Sequence, residues 1–232
     1  MYEEIFKQHV VSLVLELKDK APEFIEKTLK KMVEVFSFND YKRLLTILKN
    51  ERVITSEEHQ IIWKDYAASN QNLIVYGIGS KIFGEIWAVQ HLMKLDKRFQ
   101  KPDRSLDAEY AGQYDLLLNG VKLGAKACRA MDLQQEGDRF AKALRSDSTT
   151  PFELNFRQIR VESYECSVLI GVWLDKLIYW AMSYLEIREN KFLFMGEGEG
   201  SLLKITSKNI SDFDKYMTSE ASLVSTILDK RT

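Results

Sequence analysis

The chain has 232 residues, of which 45% are hydrophobic and 29% charged, with 3 prolines. This balance excludes disordered, collagen-like and coiled-coil chains and suits one large domain or a small domain beside a larger one. Lys and Arg number 33 against 34 Asp and Glu, a formal net charge of −1, so composition carries no nucleic-acid signature and any site for a polyanion must come from local clustering. Cys128 and Cys166 are far apart and outside any CxxC or Cys/His cluster, which speaks against structural zinc and a disulfide framework. With no basic-then-apolar leader and no apolar run near the roughly 20 residues that span a bilayer, a cytoplasmic protein without a membrane partner is expected.

From Tyr2 to Ser69 the spacing predicts helices throughout. Val10, Leu13, Val14 and Leu17 recur at helical intervals, as do Phe24, Ile25, Leu29, Met32, Val33 and Phe36, then Leu44, Leu45 and Leu48. Pro22 suits a first helical turn, Ser37 to Asp40 supplies a polar cap, and Thr55 with Glu58 three residues on reads as a capping box. Residues 1–70 are therefore expected to form a helical N-terminal subdomain, with dimerisation or DNA-clamping potential, ahead of a second unit over 71–232.

Tyr76 to Ser80 reads as a glycine turn, followed by an amphipathic helix from Lys81 to Leu95 that carries Glu85. Gly77 and Gly79 without a following GK[ST] are a weak phosphate-loop signal and are read as a turn. Gln100 to Gly112 is a loop, and Asn119-Gly120 between two apolar runs is the strongest short hairpin signal in the chain. A two-residue turn sets Leu118 against Val121, Leu116 against Leu123 and Asp115 against Gly124. One face is then wholly apolar, and the other, expected to face away from the core, carries Asp115, Leu117, Lys122, Gly124 and Lys126. Beyond Arg129 the polar stretch to Arg145 is helix-compatible, Cys166–Trp173 and Lys176–Tyr184 read as strands, and Gly196 to Gly200 reads as a flexible acidic loop. Leu202–Thr206 is a further strand, and the chain from Ser207 is expected to end helical. Trp173 and Trp180 are read as core, and His9, His59 and His91 as structural.

An acid opening one strand and an acid-x-lysine on the next strand of the same hairpin is the arrangement that metal-dependent nucleases need, because two carboxylates on adjacent strands hold Mg2+ and the lysine two residues on stabilises charge or helps deprotonate the attacking water. At Tyr114-Asp115 and Lys122-Leu-Gly-Ala-Lys126-Ala-Cys-Arg129-Ala the sequence resembles the PD-(D/E)xK type II restriction endonucleases. Lys81-Ile-Phe-Gly-Glu85-Ile-Trp is similar to that family's first core helix. Asn155-Phe-Arg-Gln158-Ile-Arg, the run from Glu165 to Trp180, and Gly196 to Thr206 with Asn209-Ile210 resemble its later blocks in order. The resemblance spans residues from about 76 to 216 and implies an α/β fold, a restriction-endonuclease-like mixed central sheet flanked by helices with a helical N-terminal region.

It further implies sequence-specific, Mg2+-dependent hydrolysis of double-stranded DNA that leaves 5′-phosphates. Asp115, the backbone carbonyl of Ala125 and Glu85 would hold the metal, and Lys126 would contact the attacking water or the phosphate. Gly124 stands where the family has its second acid, a vacant acid position with three readings: an inactivating change, a carboxylate supplied instead by Glu85, Glu136 or Asp138, or a DNA-binding relative without catalysis. A nuclease of DNA repair or end processing is a further alternative. DNA contacts are expected from Lys81, Lys101, Arg104, Arg129, Asn155, Arg157, Gln158 and Arg160, since Arg, Gln and Asn read base edges bidentately. The two-fold symmetry of a palindromic site implies a homodimer.

Overall fold

The apolar periodicity of the first 70 residues becomes four helices, α1 (Tyr2–Leu17), α2 (Pro22–Val35), α3 (Phe38–Asn50) and α4 (Ser56–Ser69). The structure, a computed structural model, describes residues 2–35, 38–196 and 200–231; Ser37 of the expected cap lies outside them. Leu17, Leu29, Leu44, Leu45 and Leu48 are buried with Phe6, Val10, Tyr41 and Tyr66 in one apolar cluster, each buried leucine contributing about 1.5–3 kcal/mol. Both halves of the Thr55–Glu58 capping box form: the Glu58 amide donates to Thr55 Oγ1 at 3.1 Å and the Thr55 amide to Glu58 Oε2 at 2.7 Å. Asn72 fastens the end of this helical region to the later part of the chain, its amide and side-chain Nδ2 donating to the carbonyls of Leu174 and Trp173 at 2.9 Å each.

Next come α5 (Leu73–Tyr76), the glycine turn, α6 (Ser80–Ile82), a π-helical turn over Phe83–Trp87 and α7 (Ala88–Leu95). The expected helix over 81–95 is thus continuous from Ser80 but widened in its middle, where Glu85 sits. Strands β1 (Phe99–Gln100), β2 (Leu116–Leu118) and β3 (Val121–Arg129) follow, then β4 (Met131–Asp132), β5 (Phe152–Ile159), β6 (Cys166–Val172) and β7 (Leu177–Ser183). The chain is completed by α8 (Tyr184–Arg188), β8 (Leu193–Gly196), β9 (Gly200–Thr206), a 3-10 turn over Ile210–Tyr216, β10 (Met217–Thr218) and α9 (Leu223–Asp229).

The fold is α/β with two open sheets: a six-stranded mixed sheet in the order β1-β2-β3-β6-β7-β10, with β3 and β6 parallel, and a four-stranded sheet in the order β4-β5-β9-β8. The Asn119-Gly120 turn has φ of 50° and 85°, the pair of positive values that suits the twist of a two-residue hairpin, and the register is the expected one. Leu116, Leu118, Val121, Leu123, Ala125 and Ala127 pack against α5, α7 and α9 in one core. The opposite face is not solvent-facing as expected. The second sheet covers it with a second core that takes in Leu117, Leu154, Phe156, Tyr164, Leu169, Trp173 and Trp180.

Other local expectations need correction. The stretch 129–145 holds β4 and turns rather than a helix, because Asp132 and Asp138 carboxylates accept the amides of Gln134 and Phe140 at 2.8 and 2.9 Å and Gly137 has φ of 112°; such local bonds compete with helix. Tyr184 starts α8 instead of ending a strand, through a Ser183–Glu186 capping box. The C-terminal part adds strand β10 against β7. Residues 197–199 of the expected acidic loop lie outside the described residues, and the flanking Gly196 and Gly200 pair with each other across β8 and β9.

Candidate functional site at the open edge of the hairpin

β2 is much shorter than β3, and Leu123 is the last β3 residue it pairs with. Asp115 closes the short ladder by donating its amide to the Leu123 carbonyl at 2.8 Å. One step on, the Ala125 amide donates to Asp115 Oδ2 at 2.8 Å, so a carboxylate takes the place of the strand partner that β2 no longer supplies. In an extended strand the amide and carbonyl of one residue point to the same side, which turns the Ala125 carbonyl toward this edge as well. Burial raises the Asp115 carboxyl above its ordinary range; the Ala125 amide and Lys126 oppose that rise, and Glu85 adds to it.

Glu85 arrives from the π-helical turn beside the same edge. Gly84, next to it, comes close to β3: a Cβ on Gly84 would lie 3.9 Å from the Ala127 carbonyl oxygen. Lys126 Nζ forms an ion pair with Glu85 Oε1, the lysine side chain 8% exposed and the glutamate 45%. A buried ammonium is costly without a paired charge, and Glu85 supplies it. π-Turns inside helices recur at functional sites, and this one sets a carboxylate against the lysine that shares a strand with the Asp115-bonded amide.

Position 124 is closed. A Cβ built on Gly124 would stand 2.6 Å from Tyr164 Cε1 and 2.7 Å from Cζ, inside the ring, so glycine here is matched to the tyrosine lying over it. Of the three expected substitutes for an acid at 124, it is Glu85 that meets Lys126. Glu136 is exposed on the loop after β4, and the Asp138 carboxylate accepts the amides of Phe140 and Ala141 at 2.9 and 3.0 Å.

The expected DNA-contact residues divide by placement. Lys101 and Arg104 are exposed on the connection from β1 to β2, and Arg157, Gln158 and Arg160 are exposed at the end of β5, where Asn155 is half-buried. Lys81 lies on α6, its side chain outside the described part. Arg129 departs from expectation: it is 4% exposed, lies 3.8 Å over the Phe83 ring and donates to the Val75 and Ile78 carbonyls at 2.9 and 2.6 Å. It pins the glycine turn from inside and is not presented to a ligand.

Sequence reasoning missed Tyr164 and the nearness of the β5 arginines to β3: the charge of Arg160 acts on Asp115 and that of Arg157 on the Cys128 thiol. A glycine inside an otherwise bulky strand was the available signal, since it marks a close approach by another group.

The oxygens at this edge suit a hard cation. Among the described residues no group of three or more His, Cys, Asp and Glu side chains is placed to hold a metal. No helix among the described residues is long and apolar enough to cross a membrane. Comparison of the chain with protein-family models, with curated proteins and with solved structures finds no match in any of the three.

Proposed function

We propose that the protein is a Mg2+-dependent, sequence-specific endonuclease of double-stranded DNA, a type II restriction enzyme in its resemblance, with the second carboxylate moved from position 124 to Glu85. The observation that carries this reading is that Asp115, bonded to the Ala125 amide where β2 stops, lies within the electrostatic reach of Lys126 and Glu85, which pair with each other. Asp115 and Glu85 would hold the cation with the Ala125 carbonyl. When bound, Mg2+ supplies charge stabilisation at the phosphate and lowers the pKa of a coordinated water. Lys126 Nζ, kept near the edge by Glu85, donates to a phosphate oxygen or to the attacking water, and Arg157 and Arg160 add positive charge on the side toward which a polyanion approaches. The products are a 5′-phosphate and a 3′-hydroxyl.

A homodimer fits cleavage of both strands of a palindrome. Exposed Ile82, Ile86 and Met93 on the helix that carries Glu85 offer a self-complementary apolar stripe for it. Substitution Ile86→Glu should then reduce the mass seen by light scattering to that of one chain.

The competing reading is a DNA-binding protein without catalysis. Its support is that Lys126 is already satisfied by Glu85 and that the slot at 124 is filled. Titration with Mn2+ separates the two: the nuclease reading expects a site lost in Asp115→Asn, and the binding reading expects wild type and variant to behave alike.

A further inference from the structure

β5 pairs with β9 in regular register until Phe156 opposite Leu203, and pairing resumes at Ile159 opposite Ser201. Arg157 and Gln158 thus face a single residue, Leu202, across a bulge. Gln158 has φ of 57°, a left-handed backbone that a non-glycine side chain adopts only when its surroundings impose it. Both side chains are exposed, while Phe156 and Ile159 on either side are buried. Bulges re-aim side chains and gather beside active sites.

The bulge is tied to the open edge of β3 by a short covalent and hydrogen-bonded path. Two residues past Gln158, the Arg160 amide donates to Tyr164 Oη at 3.0 Å, and the turn between them is closed by the Ser163 amide on the Arg160 carbonyl at 2.9 Å. The ring of Tyr164 lies on Gly124, between the Leu123 carbonyl and the Ala125 amide that bond Asp115. Arg160 Nη1 also donates to the Gly112 carbonyl at 2.9 Å, gripping the segment that leads into Asp115. The bulge is thus linked to the surroundings of Asp115 by two routes, the tyrosine ring and the arginine.

We infer that Tyr164 is a positioning residue that couples nucleic-acid contact at Arg157 and Gln158 to the placement of Asp115. The inference rests on the nuclease reading and adds to it the surface that senses the substrate and the side chain that relays it. Glutamine and arginine are the side chains that pair bidentately with base edges, and contact that draws the bulge toward DNA would set the Asp115 carboxylate through Tyr164.

The test uses the full chain, Mg2+ and a long linear double-stranded DNA of diverse sequence, and measures single-turnover cleavage, DNA affinity and melting temperature. The variants are Tyr164→Phe, Gln158→Gly and their combination. Phenylalanine keeps the ring on Gly124 and removes the hydroxyl that accepts from the Arg160 amide and neighbours Ser167; glycine keeps the left-handed bulge and removes the side chain. We expect Tyr164→Phe to cleave about tenfold more slowly, with DNA affinity unchanged and melting temperature lowered by no more than the few degrees that one lost hydrogen bond costs. Gln158→Gly should weaken DNA binding and slow cleavage, and the double variant should cleave no more slowly than the slower single. Wild-type cleavage by Tyr164→Phe, a rate loss accompanied by partial unfolding at the assay temperature, or losses that multiply in the double variant would each overturn the coupling alone. A wild-type chain that leaves the DNA intact would overturn the nuclease reading and the coupling with it.

Discussion

The two faces of β3 are both buried and are built by opposite means. Toward the helices, Leu123, Ala125 and Ala127 fill an apolar core that needs no specific partner, and a buried charge enters this side only at the end of the strand, where Arg129 finds the Val75 and Ile78 carbonyls. Toward the second sheet, Gly124, Lys126 and Cys128 alternate with them, and each is accommodated by a particular group: the Tyr164 ring over the glycine, Glu85 on the lysine, and the Asn155 amide donating to Cys128 Sγ at 3.1 Å. Apolar burial is favourable by itself, whereas burying a charge is tolerated only with a partner. Under the nuclease proposal, this partnered face next to the edge where β2 stops is the one that would carry the chemistry.

The contrast predicts opposite consequences for substitutions on neighbouring faces of the strand. The largest effect on function belongs to Lys126→Met, which keeps the aliphatic stem and removes the charge: DNA cleavage should fall by about a thousandfold, in line with the loss of a donor aimed at developing charge, with little change in denaturant midpoint because the carboxylate left behind, Glu85, is 45% exposed and stays hydrated. On the apolar face, Leu123→Ala should do the reverse, costing about 2–5 kcal/mol of stability in urea unfolding while the folded fraction keeps its specific activity. Gly124→Glu is expected to lose about 1–3 kcal/mol through overpacking against Tyr164, and the companion change Tyr164→Ala should return most of that loss; a Gly124→Glu variant as stable as wild type would show that the slot is open.

The smallest effect is a pH dependence on the helix-packed face. His91 stacks on Trp87 at 4.9 Å between ring centroids and meets Tyr179 Oη at 2.7 Å, and Tyr179 Oη donates to Glu220 at 2.8 Å. Burial lowers the His91 pKa, with Glu220 opposing, so the neutral ring is the one that the fold favours. Its contribution to stability is full above the unfolded value of about 6.5 and is lost as pH falls through the lower folded value. Melting temperature should decline as pH falls below about 6.5, and His91→Gln should flatten that decline.

What could be read from the sequence was what local chemistry decides. Asn119-Gly120 fixed a turn and thereby every pairing up to Leu123, and Thr55 with Glu58 marked a helix start, because both act over a few neighbouring residues. The β4–β5 connection misled because Asp132, Gly137 and Asp138 favour turns that a polar, helix-compatible composition conceals. At the site, Asp115 and Lys126 share a hairpin and were placed by its register. Glu85 and Tyr164 come from distant stretches of chain on either side of Lys126, and no local pattern states that a π-turn sets one beside the lysine or that the other closes over Gly124. Arg129 follows Lys126 along the strand, yet its odd-numbered position turns it to the helix side, where the carbonyls of Val75 and Ile78 take its donors; period-2 alternation foretold that side, and its arginine chemistry obscured it.

The central claim is that the polar face of β3 at its open edge cuts DNA, and it is tested most directly by incubating the protein and its Asp115→Asn variant with long, sequence-diverse double-stranded DNA and Mg2+ and sequencing the ends. The account predicts discrete fragments with 5′-phosphates from the wild type and none from the variant. Intact DNA from both, or equal cleavage by both, would contradict it.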